Sequence, residues 1–98
     1  MEITTAAHAL SSETRIRLLQ IITATPSSSA EAFDQYQIQY QSPMRRESIY
    51  RELEKLVDAG LATKRYDQDK KELVYAGQAD VICFDIAQES VEFGTQTQ

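Results

Sequence analysis

The 98-residue chain has no tryptophan, one cysteine (Cys83), two prolines and three glycines. A single cysteine excludes an intrachain disulfide and fits a reducing compartment. So few Pro and Gly, beside 42% hydrophobic residues, exclude a disordered chain and fit one small, mostly helical domain spanning 1–98. No apolar run approaches the length of a membrane span. The opening Met1-Glu2-Ile3-Thr4-Thr5 lacks the basic and apolar regions of a signal peptide. The expected address is the cytoplasm, with no membrane partner. No nucleophile beside a base, Gly-rich phosphate loop or carboxylate pair is visible, so no catalytic residue and no cofactor is expected. His8 and Cys83 are the only soft metal ligands, short of the about four that a structural zinc site needs. No metal is expected either, and Cys83 reads as a small buried hydrophobe.

Cations are missing from residues 72–98. Residues 72–98 carry five acids and no base, residues 1–44 carry four acids and two bases, and residues 45–71 carry six acids and eight bases. The net charge of −5 therefore conceals a basic segment, and segregation says more about partners than the sum does. The acidic total, six Arg against four Lys and abundant Gln are similar to proteins of salt-loving archaea. At high salt, binding through phosphate neutralisation weakens, and base contacts, shape and water release matter more.

Apolar spacing divides the chain into elements. Residues 4–10 predict a short helix with Ala6, Ala7 and Leu10 on one face. Ser11 or Ser12 caps a second helix that ends at Pro26. Ser28-Ser29-Ala30-Glu31 is a capping box opening a third helix, which must stop near Gln41 because of Pro43. A fourth helix is expected over 43–59, with Ser42 as cap, Pro43 in the first turn and Gly60 as stop. Its buried stripe is Ile49, Leu53, Leu56 and Val57. Period-two runs at 61–66 and 72–75 bracket a five-residue polar loop, 67–71, and predict a hairpin. The run 81–86 is a further strand, on which 91–93 can fold back. Residues 94–98 form a tail.

Arg45 and Arg46 break a local rule. They lie at the positive end of the fourth helix, where each exposed cation costs about 0.3–1 kcal/mol unless an anion faces it. A rule broken at an exposed position is where function should be sought.

The order of elements and two stretches of sequence carry a resemblance. Ala9-Leu10-Ser11-Ser12-Glu13-Thr14-Arg15-Ile16-Arg17-Leu18-Leu19 resembles the opening of ArsR-type repressors. Residues 48–61, Ser-Ile-Tyr-Arg-Glu-Leu-Glu-Lys-Leu-Val-Asp-Ala-Gly-Leu, resemble the recognition-helix segment shared by ArsR-type and PadR-type regulators. The resemblance covers about residues 7–76. It implies an α+β fold, mainly helical with a small sheet: a winged helix-turn-helix, extended here by a C-terminal strand or hairpin at 79–93. Two departures stand out. The stretch from Asp34 to Ser42 is longer and richer in Gln than the usual turn, and the C-terminus is strand-like where many ArsR-type proteins have a dimerising helix.

The resemblance also implies roles. Arg46, Glu47, Ser48, Tyr50 and Arg51 would meet base edges in the major groove of double-stranded DNA, and Arg45 a phosphate. Lys64, Arg65, Lys70 and Lys71 would form a wing against the backbone or minor groove. Glu47 and Arg51 are equally an i, i+4 ion pair, Tyr50 a half-buried core residue, and Lys55 a solvated partner of Glu52 or Asp58. The expected function is a transcriptional regulator, repressing by occlusion, that acts as a homodimer. The dimer is expected to use the apolar face of 4–10 and the strand at 81–86. A winged-helix protein–protein adaptor, or a sensor switched by a ligand or metal, remains open as an alternative.

Overall fold

Four helices precede four strands in the computed structural model, which describes residues 2–94. The helices are α1 (Ile3–Ala9), α2 (Glu13–Ala24), α3 (Ser29–Tyr40) and α4 (Arg46–Asp58). The strands β1 (Ala62–Asp67) and β2 (Glu72–Gly77) form one antiparallel hairpin, and β3 (Val81–Asp85) and β4 (Ser90–Gly94) a second. The architecture is α+β. None of these helices is long and apolar enough to cross a membrane.

Local chemistry sets the helix ends. The Ser12 hydroxyl accepts from the Arg15 amide to start α2. Ser28 and Glu31 exchange hydrogen bonds in the expected capping box at the start of α3. Gln41, in the left-handed conformation at φ 49°, closes α3 where Pro43 requires a stop. At the end of α4, the amides of Gly60 and Leu61 donate to the carbonyls of Val57 and Leu56. This closure needs the positive φ of 79° that Gly60 supplies.

The expected start of α4 at residue 43 is corrected to Arg46. Ser42 does not cap a helix. Its hydroxyl accepts from the Met44 amide two residues on, while the Met44 carbonyl accepts from the Gln37 side chain. Met44 also packs against the core. These three ties hold the connection to α3 in place and leave Arg45 extended at the helix threshold.

Leu18 and Ile22 of α2, Ala32 and Tyr36 of α3, and Ile49, Leu53 and Leu56 of α4 are fully or almost fully buried together. Burying each large aliphatic chain contributes about 1.5–3 kcal/mol, so this three-helix junction is the main source of stability. β2 is tied to it by Ser27, which neither hydropathy nor spacing marked as a strand. The Ser27 amide donates to the Tyr75 carbonyl at 2.9 Å, and the Tyr75 amide returns a bond to the Ser27 carbonyl at 2.7 Å. β2 is thus flanked by β1 on one side and a one-residue strand on the other. The hairpin loop is four residues, 68–71, rather than five, because Asp67 pairs with Glu72 and Lys71 turns the chain at φ 56°.

Gly77 ends β2 against α2. A Cβ there would lie 2.1 Å from Thr23 Oγ1 and 3.3 Å from Thr23 Cα, too close for rotation of the threonine alone to relieve. Gly77→Ala is expected to cost about 1–3 kcal/mol through overpacking. In urea unfolding, the midpoint should fall with little change in slope.

The second hairpin pairs Ile82 with Phe93 and Phe84 with Val91, which places those four on one face. That face meets the body: Val91 is buried, and Ile82 packs on the core. Cys83 falls on the opposite face, so the expectation of a buried cysteine is corrected to an exposed one. Of the apolar face expected on 4–10, Ala6 is buried within the chain, Leu10 is half-buried and Ala7 is exposed; α1 packs beside β4, and Glu2 bridges to Ser90. Of the expected tail, 95–98 lies outside the described residues, while Gly94 belongs to β4.

Candidate nucleic-acid interface

α4 opens without a side-chain cap: Arg45 occupies the N-cap position, and Arg46 and Glu47 follow in the first turn. Its amphipathicity is strong. Ile49, Leu53 and Leu56 are fully buried, whereas Arg45, Arg46, Glu47, Tyr50 and Arg51 are exposed and Ser48 is half-buried. The buried stripe fixes the helix's rotation, so the other side must face outward. Tyr50 is 46% exposed, and so stands apart from the core. Glu47 and Arg51 make no ion pair with each other among the described residues, although their spacing allows one. The Arg46 guanidinium lies over the Phe33 ring of α3, 5.5 Å from its centroid. That contact orients the cation without neutralising it.

The hairpin cations divide into two groups. Lys64 Nζ lies 3.0 Å from both carboxylate oxygens of Glu54 on α4, which also accepts a hydrogen bond from the Tyr75 hydroxyl. Lys70 Nζ lies 3.1 Å from Glu31 Oε1 at the start of α3. Lys55 pairs with Glu52, as its spacing suggested. Among the described residues, Arg45, Arg46, Arg51, Arg65 and Lys71 have no acidic partner. The candidate residues therefore do not act as one set. The arginines of α4 stand free, while two of the four wing cations already hold the hairpin to the helices.

Glu54 joins α4 to β1 and β2. The Tyr75 hydroxyl, and then Lys64, hold its carboxyl below the usual carboxylate range. Glu31 is lowered in the same direction by the Ser28 amide and then by Lys70. Burial, then the hydrogen bond to Glu54, pushes the Tyr75 phenol well above its ordinary value of 10.0. A raised folded-state pKa gives stability that is present below the ordinary phenol value and lost as pH rises toward the folded one. Stability should therefore decline above pH 10.0, and Tyr75→Phe should flatten that decline. At neutral pH the same change should cost about 1 kcal/mol for the lost hydrogen bond. Thermal melts of both proteins at neutral and alkaline pH would check this.

Glu54, Tyr75, Glu31 and Phe33 were absent from the sequence-derived site. Lys64 and Glu54 are ten positions apart on different elements, so only the packing of the hairpin on α4 brings them together. The cross-strand pairing Lys64↔Tyr75 places both side chains on the face toward α4, and Tyr66↔Leu73 continues that face outward. Tyr66 and Leu73 are exposed, as is Tyr50 one turn before Glu54. Tyr50 on α4 and Tyr66 and Leu73 on the hairpin are thus exposed aromatic and aliphatic groups, with free arginines at the helix threshold.

Among the described residues, no group of three or more His, Cys, Asp or Glu side chains is placed to hold a metal ion. No protein-family model matches the chain, and no curated protein matches it.

Proposed function

We propose that the protein is a DNA-binding transcriptional regulator with a winged helix-turn-helix fold, similar to ArsR-type and PadR-type repressors. In this reading α3 and α4 form the helix-turn-helix, α4 enters the major groove, and the β1–β2 hairpin is the wing. The single observation that carries it is the exposed Arg45, Arg46 and Arg51 on the first turns of α4, without an acidic partner among the described residues. A folded chain gains nothing from holding three free guanidinium groups near a positive helix end unless an anion or an acceptor-rich surface meets them there. Arginine suits guanine O6 and N7, because its fork makes two parallel hydrogen bonds. Ser48 and Tyr50 add hydroxyls beside it. The bridge from Ser27 to β2, with the bonds of Glu54 to Lys64 and Tyr75, supports the wing assignment, since together they fix the hairpin beside α4.

A homodimer is part of the proposal. Two copies of α4 about 34 Å apart would read a pseudo-palindromic site on one face of the duplex. Nothing resembles an activation segment, so repression by occlusion is the reading adopted.

One observation favours the adaptor alternative: Lys64 and Lys70 are neutralised by Glu54 and Glu31, which weakens the wing as a phosphate contact. Selection from a random duplex library, at low and at molar salt, separates the two. An enriched palindrome supports the regulator. With the protein shown to be folded, failure to enrich any duplex under either condition rejects DNA reading and favours the adaptor.

A further inference from the structure

The outer edge of β3 is a second surface with unmet bonding capacity. β3 pairs only with β4, and no backbone group of residues 81–85 bonds to any other element among the described residues. The strand reads Val-Ile-Cys-Phe-Asp, with no proline, lysine or bulge to discourage another strand from pairing there. A groove of about 490 Å³ adjoins it, walled by Ile16, Leu19 and Thr23 of α2 and by Ala79 and Ile82. Ile16 of α2, Phe84 of β3, Ile86 of the turn and Phe93 of β4 are 40%, 41%, 74% and 37% exposed, apolar surface of the kind that marks an interaction site.

We infer that β3 pairs with β3 of a second copy of this chain, in antiparallel register about a two-fold axis at Cys83. The inference names the interface of the dimer proposed above and rests on that part of the reading. Three observations select a second copy. Centring on Cys83 is the one symmetric register that pairs all five residues of β3: Val81 meets the partner's Asp85, and Ile82 meets the partner's Phe84. Unlike a register centred on Asp85, it sets no carboxylate opposite its own copy. The area is adequate as well. The uncovered parts of the four apolar residues amount to roughly 400 Å², about half of the ~800 Å² that each partner gives a stable interface. The strand backbone and the groove walls supply the rest. Finally, a two-fold axis normal to the joined sheet puts both α2 helices beneath it, so Ile16 and Leu19 of each copy are brought toward the partner.

Asp80, Asp85, Glu89 and Glu92 surround this surface, and no cation lies beyond Lys71 in the sequence. The two copies therefore repel, and screening by salt should strengthen the dimer.

Sedimentation equilibrium of the full chain at physiological and molar salt, without DNA, tests the pairing. The expected result is a species of twice the 11.1 kDa monomer mass, more populated at molar salt. Phe84→Lys should raise the dimer dissociation constant at least tenfold. Mild oxidation provides a readout that does not depend on that variant. The two Cys83 Cα atoms would lie about 4.5–5.5 Å apart, within disulfide reach, so a covalent dimer should form rapidly. Cys83→Ser combined with Asp85→Cys places the thiols four residues out of register, roughly 14 Å apart, and should form almost none. A monomer at both salts would overturn the inference. So would a dimer that cross-links as fast through position 85 as through position 83. A monomer that still selects a duplex leaves DNA reading intact, and a dimer that selects none leaves the interface intact.

Discussion

Replacing Arg46 and Arg51 together with alanine should lower affinity for a selected duplex by about 2–6 kcal/mol, and should erase the preference over a scrambled duplex. The magnitude follows from a bidentate guanine contact, worth about 1–3 kcal/mol for each arginine. The fold should not suffer. Both side chains are exposed, Arg51 on the face opposite Ile49 and Arg46 at the helix start over Phe33, and neither makes an ion pair among the described residues. Arg46→Lys should not restore the preference, because an ammonium group lacks the planar fork and stacks less well on Phe33. Arg45→Ala provides the contrast. A phosphate contact carries no sequence information, so its loss should weaken cognate and scrambled binding alike. Fluorescence anisotropy against both duplexes reads all four outcomes. Equal losses on the two duplexes from the double variant would sink direct readout by α4.

Arg15→Ala should be the most damaging single change to stability at a polar position, at about 3 kcal/mol. The Arg15 side chain is nine-tenths buried. Its Nε donates to the Ala9 carbonyl at 2.6 Å, and Nη2 to the His8 carbonyl at 3.2 Å. Nη1 lies 3.3 Å from Glu52 Oε2. One guanidinium therefore closes the end of α1 and joins it to α2 and α4. Removing the guanidinium takes the donor from the Ala9 carbonyl and leaves a cavity between three helices, while Ser11 still serves the His8 carbonyl and Lys55 still serves Glu52. Arg15→Lys should recover little, since one ammonium group cannot reach three acceptors spread across two helices. Urea unfolding of the two variants gives both values. A loss below about 1 kcal/mol would mean that water replaces the guanidinium freely.

Arg15 also shows how far sequence reasoning reaches. It stood within the stretch that resembles ArsR-type openings, yet pattern alone gave it no task, because its three acceptors come from residues 8, 9 and 52. Where information is local, the elements were legible. The Ser28–Glu31 box, the Gly60 stop, the stripe at Ile49, Leu53 and Leu56, and both hairpins needed only neighbours within a few positions. Residues 42–45 misled for the opposite reason. Ser-Pro is a sound helix start, but Gln37 and the core contacts of Met44 compete for the same backbone and prevail. Cys83 was read from the apolarity of its run, whereas its exposure follows from which face of a two-stranded sheet meets the body. The α4 arginines were found because they violate a local rule. Glu54 and Tyr75 violate none, so only tertiary packing reveals them.

The three ion pairs made by Lys55, Lys64 and Lys70 bear on how the protein would respond to its ionic surroundings. Each of these lysines already has a carboxylate as its counterion, so a duplex that recruited one would also leave an unpaired acid near its phosphates, which offsets the gain from releasing condensed cations. At most five side chains per copy then remain to contribute a salt-dependent term, and two of those are assigned to base edges. Attraction to arbitrary nucleic acid would be shallow from the outset. A modest electrostatic share suits a protein working at high ionic strength, where a stickier surface would lose most of its hold and gain no selectivity.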